Sequence, residues 1–212
     1  MANVSGLIHV SSMWTICSIP VLLFAALVLV GCASTRFAVS GQPPGQPLCQ
    51  KSSKDAAAVI LWGPRWRPNQ KDIPLREAAA QRGIAHFFSS SGCFAKATIL
   101  RTIGDRNAID LSPAEVRAVV AAEATAPRYV LSITVRELGP IVTLFSSLAL
   151  VDGGTEVVLE IRALAPATGQ TTSAFTAHWQ NGGPWVLKGV ATLEYDIACA
   201  LQAALRVSRT TP

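Results

Sequence analysis

The sequence predicts an α/β fold: a mixed sheet of about five strands packed with three helices, in the order β-α-β-α-β-β-β-α, after a signal segment and a flexible tether. Three observations predict it. Residues 56–62 (AAAVILW) form a short, continuous apolar run, as suits a strand covered on both faces. Leu111-Ser112-Pro113-Ala114-Glu115-Val116 holds a complete helix start. Residues 129–137 and 155–164 alternate apolar and polar positions, the mark of half-buried strands.

The elements follow in order. Residues 33–54 are rich in Ser, Gly, Gln and Pro, with Gly41-Gln-Pro-Pro-Gly-Gln-Pro47 at their centre, and read as an extended tether. The first strand, residues 56–62, stops at Gly63-Pro64. Asp72 is placed to cap a helix running to about Ser90, with Pro74 in its first turn. Ala80, Ile84, Phe87 and Phe88 recur at helical spacing and face the core, and Gly83 is small enough to let the helix lie close to a sheet. Residues 93–100 read as a second strand.

The second helix starts at Ser112, the N-cap, with Pro113 at its first position and Glu115 closing a capping box. Leu111 and Val116 occupy the hydrophobic-staple positions. In the third strand Tyr129, Leu131, Ile133 and Val135 share one face, and Gly139-Pro140 is its expected end. Residues 141–151 (IVTLFSSLALV) are apolar without clear periodicity and form an insert. Residues 155–164 and 170–180 make a hairpin around the turn Pro166-Ala167-Thr168-Gly169. Asn181-Gly-Gly-Pro184 breaks the second of them. A last helix is expected from Trp185 to about Val207, with Val190, Leu193, Ile197 and Leu201 on its buried stripe.

A chain of 212 residues with half its composition apolar suffices for one domain with a real core. No Asp, Glu, Lys or Arg precedes Arg36, so the net charge of +5 belongs to the part beyond it. The 18 Lys and Arg are spread out, apart from Arg65-Trp66-Arg67 with Lys71. That dispersal favours a solvated face or anionic headgroups over nucleic acid as partner.

The charge-free stretch lacks the Lys or Arg that usually opens a signal peptide, which leaves Met1 and Met13 both as candidate starts. The apolar run 19–30 ends in Leu29-Val30-Gly31-Cys32 and resembles the lipobox of bacterial lipoproteins. That resemblance implies cleavage before Cys32 and a diacylglycerol thioether on its sulfur. Residues 1–31 are then signal peptide, 32–54 acylated Cys and tether, and 55–212 a periplasmic α/β domain. Ala33, rather than Asp, after the Cys implies the outer membrane, periplasmic face. The competing reading is an uncleaved anchor over residues 13–30, near the lower limit of about 18 residues for a spanning helix.

Lipobox, Pro/Gln tether and element order together are similar to periplasmic lipoproteins related to the curli export channel subunit. That group includes lipoprotein activators of peptidoglycan synthases and lipoproteins of exopolysaccharide export. The resemblance covers residues 55–207 and implies a non-enzymatic, lipid-anchored scaffold or assembly and export component, a homo-oligomer or a partner of other envelope proteins. The insert is too short for two spanning strands of about 9–11 residues, so a barrel does not follow. The alternative is a small-ligand or lipid-binding accessory lipoprotein of a transport system.

No catalytic, metal or cofactor motif stands out. His86 and His178 read as structural or surface residues. Glu156 and Glu160 share a strand face about 13 Å apart, too far for a direct acid/base pair. No Cys spacing fits a metal site. Interface candidates are Trp66, Trp185 and the insert residues Ile141, Leu144, Phe145 and Leu148, the insert being buried, at a partner interface or in contact with a bilayer. After Cys32, Cys49, Cys93 and Cys199 allow three single pairings and leave one thiol over; a Cys199 pair with Cys93 or Cys49 is one candidate, and the pairing stays open.

Overall fold

The computed structural model describes residues 34–50, 53–102, 110–145 and 150–209. The chain runs β1 (Ser34–Gln42), β2 (Ala57–Pro64), α1 (Ile73–Ser90), β3 (Lys96–Arg101), α2 (Pro113–Ala121), β4 (Tyr129–Phe145), β5 (Leu150–Leu164), β6 (Thr171–Pro184), a 3-10 turn (Val190–Thr192) and α3 (Leu193–Ala204). The α/β class stands, with six strands rather than five. Their order is β1-β6-β5-β4-β2-β3; β2 is parallel to β3 and β4, and the other neighbours are antiparallel.

The continuous apolar run in β2 has the expected cause. Ala58, Ile60 and Trp62 join the main core with α1 and α3, while Val59 and Leu61 face α2 and a smaller core. A strand buried on both faces needs apolar residues at every position. β4, β5 and β6 turn Leu131, Ile133, Leu159, Ile161 and Phe175 into the main core, as their alternation predicts. α2 begins as its sequence dictates. Ser112 Oγ accepts the Glu115 amide, the Glu115 side chain accepts the Ser112 amide, and Leu111 packs with Val116 in the smaller core.

Several expectations need correction. Residues 34–42 are not tether: β1 pairs along its length with β6, as the edge strand. Its residues are mostly exposed on both faces, so it carries no burial pattern to read. Asp72 caps nothing with its side chain; a left-handed backbone (φ 55°) replaces the extended one that N-capping requires. Gly83 lies against α3, not the sheet. A Cβ there would come within 2.2 Å of Ile197 Cγ2 and 2.5 Å of the Glu194 carbonyl.

The third strand does not end at Gly139-Pro140, and the insert is no separate element. β4 continues to Phe145 and pairs with β5 back to Leu150. A bulge at Arg136 explains the lost periodicity. Val135 faces Leu159, but Glu137 faces Val158, so the inward parity shifts by one and Leu138 is buried beside Val157. Asn181-Gly-Gly-Pro184 does not break β6 either: Gly183 pairs with Gly153 and Gly182 with Gly154 inside β5 and β6. A Cβ on Gly182 would lie 2.0 Å from the Gly153 carbonyl oxygen, so only glycines allow this approach.

The last helix begins at Leu193, not Trp185, because Trp185 takes a left-handed φ of 63° and Val190 stays partly exposed ahead of the helix. The candidate Cys93–Cys199 pair does not form: the disulfide is Cys49–Cys93, with Cα atoms 4.9 Å apart and Cys199 free. Cys93 is buried in the α1–β3 turn, beside the connector that carries Cys49. Cys199 instead lies on α3 and lines a cleft with His86 and Tyr195.

Candidate functional site

The expected interface residues that can be placed beyond the core gather at one end of the sheet. The register defines that end: Ser34 pairs with Gly182, Gly182 with Gly154, and Gly154 with Ile141. A shallow cleft of about 190 Å³ crosses this row and is lined by Ser34, Arg36, Ile141, Gly153 and Pro184. Because β1 is antiparallel to β6 and β4 antiparallel to β5, β1 starts at the end toward which β4 runs. The β4–β5 hairpin therefore projects past the point where β1 begins.

Two buried polar clusters hold this end. In the first, the Glu137 carboxylate is nearly buried beyond the bulge. It accepts Arg67 Nε at 2.7 Å and Gln70 Nε2 at 3.1 Å, and Arg76 Nη1 lies 3.5 Å away. Arg76, also buried, donates to the carbonyls of Leu138 at 2.5 Å and Lys71 at 2.8 Å. The start of α1 is thereby fastened to the base of the hairpin. The hydrogen bond to Glu137, and then its charge, raise the Arg67 pKa above its ordinary value.

In the second cluster, Asp196 is fully buried in the first turn of α3. It accepts hydrogen bonds from Thr155 Oγ1 at 2.6 Å and Thr192 Oγ1 at 3.0 Å, with Lys188 Nζ at 3.6 Å. A carboxylate at a helix N-terminus also meets the positive end of the helix dipole. This cluster ties segment 185–192 and α3 to β5. On the outer sheet face Glu156 holds His178 at 2.6 Å, and Glu160 pairs with Arg136, so these carboxylates serve cross-strand pairing.

The apolar residues left outside are close by. Trp185 is 63% exposed, Leu187 73% and Val142 56%. The backbone of Val186 lies against Gly153, which binds segment 185–187 to the hairpin. Trp185 is exposed in a left-handed backbone conformation, and Ile141 is half-buried. Leu144 and Phe145 lie on the projecting part of β4, and Leu148 and Cys32 lie outside the described residues. Trp66 is apart from them. Its ring packs on the main core, and its Nε1–H donates to Glu77 Oε1 at 3.2 Å, whose other oxygen takes Arg101.

Sequence reasoning missed Leu187 and Val142. The signal for Leu187 was present in the spacing, which had been assigned to a helix; the signal for Val142 was masked by the bulge. It also missed the Arg76–Glu137 contact, whose members are 61 positions apart along the chain and share no local motif. Among the described residues no group of His, Cys, Asp and Glu could hold a metal ion, and no helix is long and apolar enough to cross a membrane.

No family model and no curated protein matches the chain. Among solved structures, the PelC dodecamer from Paraburkholderia phytofirmans is 16% identical, covering 84% of this chain and 100% of that one, with a TM-score of 0.41. Lipoprotein GNA1162 from Neisseria meningitidis is 15% identical, covering 69% and 96%, with a TM-score of 0.39. A neuraminyllactose-binding hemagglutinin homolog from Helicobacter pylori is 11% identical, covering 77% and 81%, with a TM-score of 0.36. At these values no property of those proteins passes to this chain.

Proposed function

We propose that this chain is a non-catalytic, lipid-anchored envelope lipoprotein that works as a scaffold or assembly component on the periplasmic face of the outer membrane. The observation that carries the reading is Leu29-Val30-Gly31-Cys32 at the end of an apolar run. The geometry supports it in two ways. The sheet begins at Ser34, so an acylated Cys32 holds an ordered body close to its membrane. The Glu137 and Asp196 clusters use their charges to fasten elements together, which suits a rigid holding device. A self-associating scaffold would use the exposed apolar end or the free edges of β1 and β3.

Mass spectrometry of the full chain from a bacterial host tests the anchor. Cys32 as the N-terminal residue with a diacylglyceryl mass is the expected result; an intact leader, or an unmodified Cys32, overturns it. Crosslinking in intact cells tests assembly, and monomer as the sole product, with no envelope protein captured, counts against a scaffold. A second reading is a ligand-binding accessory lipoprotein. It is favoured by the cleft of about 360 Å³ between α1 and α3, lined by His86, Tyr195, Cys199 and Arg206. Native mass spectrometry separates the two, because a stoichiometric small molecule appears only in the second.

A further inference from the structure

We infer that β1 is the docking edge for a second copy of this chain: two β1 strands pair antiparallel about a two-fold axis at Ala38 and join two six-stranded sheets into one. This rests on the scaffold reading for the setting in which copies meet, and deepens it by naming a partner and the surface that receives it. The first support is the state of the edge. β6 is the only strand neighbour of β1, so one side of the β1 backbone has no strand to bond. Natural edges are blunted by shortness, by Lys or Pro, by a bulge or by a covering segment. β1 is nine residues long, holds no Pro, and carries Arg36 as its one charge. Its pairing with β6 runs without a register shift, and its residues are exposed apart from half-buried Val39. The opposite edge is managed differently. β3 has six residues, begins at Lys96, ends at Arg101, and has Thr98 bonded to Glu123 at 2.8 Å.

The second support is self-complementarity. A pairing centred on Ala38 puts Phe37 opposite the partner's Val39, Arg36 opposite the partner's Ser40, and Ala38 opposite its own equivalent. Every residue from Ser34 to Gln42 then has a counterpart. Like charges do not meet, because the two Arg36 side chains are four residues apart along the strand, about 13 Å. Phe37 pairs in register with Trp179 of the main core, so Phe37 and Val39 share the sheet face that carries the helices. At the rim of that face Phe37 is 37% exposed. The pairing brings Phe37 and Val39 of both copies side by side, and aromatic residues facing β-branched ones stabilise a strand pair.

The third support is closure. Docking of β1 on the β3 edge of another copy is heterologous, so it leaves one free edge at each end and repeats from copy to copy. Docking of β1 on β1 is isologous, ends at two copies, and covers the long edge of both at once.

The test uses the full chain in intact bacterial cells, oxidised with copper phenanthroline and read on non-reducing gels beside the unsubstituted chain. Ala38→Cys is expected to give a dimer that dithiothreitol dissolves, while Lys96→Cys on the other edge stays monomeric. Arg36→Cys and Ser40→Cys should crosslink when co-expressed, and at least about fivefold less when either is expressed alone. Adding Ala38→Asp to both co-expressed chains should lower that yield at least about threefold, because like charges then face each other. Ala38→Asp in one chain with Ala38→Lys in the other should restore it, which a misfolded variant does not do. Wild-type cells are treated with formaldehyde in parallel. Monomer from Ala38→Cys, with a dimer or an envelope protein captured by formaldehyde, overturns the edge and leaves the scaffold standing. Monomer in both experiments with nothing captured overturns both. Equal yields from Ala38→Cys and Lys96→Cys mark random collision and overturn the edge.

Discussion

Replacing Arg76 by Met removes the central cation of the Glu137 cluster while keeping the volume of its stem. Breaking a buried ion pair by deleting one partner costs about 3–5 kcal/mol. Arg67 and Gln70 still hold Glu137 in the variant, and the Arg67 side chain is largely exposed, so roughly half of that cost, about 2 kcal/mol, applies here. The Leu138 carbonyl also loses its 2.5 Å donor, for about 1 kcal/mol more. The expected loss is about 3 kcal/mol, equivalent to a fall in Tm of about 9 °C at this chain length. Urea unfolding of the chain from Ala33 onward, a compact unit, measures it by circular dichroism. Adding Glu137→Leu removes the charge left behind, and the double variant should regain at least about 1 kcal/mol over Arg76→Met. An Arg76→Met variant within about 0.5 kcal/mol of wild type would refute the assignment of this cluster as the fastening of the hairpin base.

Gly83→Leu should destabilise by at least about 2 kcal/mol despite the better helix propensity, since the new side chain meets Ile197 and the Glu194 carbonyl; thermal unfolding checks it. Cys93→Ser opens the link across 44 residues and should cost about 4 kcal/mol, and thiol counting in denaturant should find Cys199 alone reactive in the wild-type chain from Ala33 onward. Trp185→Gly should raise stability by about 1 kcal/mol, because a left-handed residue gains from glycine; urea unfolding checks it.

The parts legible in the sequence are those whose cause is local or whose burial is one-sided. α2 was readable because Ser112, Glu115, Leu111 and Val116 complete their contacts within six residues. The β5–β6 hairpin was readable because Val157, Leu159 and Ile161 are buried while Glu156 and Glu160 face out. β1 was illegible for the opposite reason: an exposed edge strand is held by backbone hydrogen bonds to β6, which any residue supplies. The hairpin extension was hidden by one inserted residue at Arg136 and by glycines that usually mark turns. Of the candidate site, Trp185 stood out by residue type. Its neighbours Leu187 and Val142 needed the register, because only the pairing of Gly153 with Gly183 and Val142 brings them to one place.

The pairing of β1 with β6 also sets an order of events. Ser34 and its partner Gly182 are 148 residues apart, so the first strand to emerge during synthesis or export finds its place only when almost the last has followed. Until then the β6 edge is open, and closing so long a loop is slow. A chain delivered N-terminus first completes its sheet at the strand nearest Cys32. Unfolding of that single edge strand would leave the parallel core of β2, β3 and β4 undisturbed.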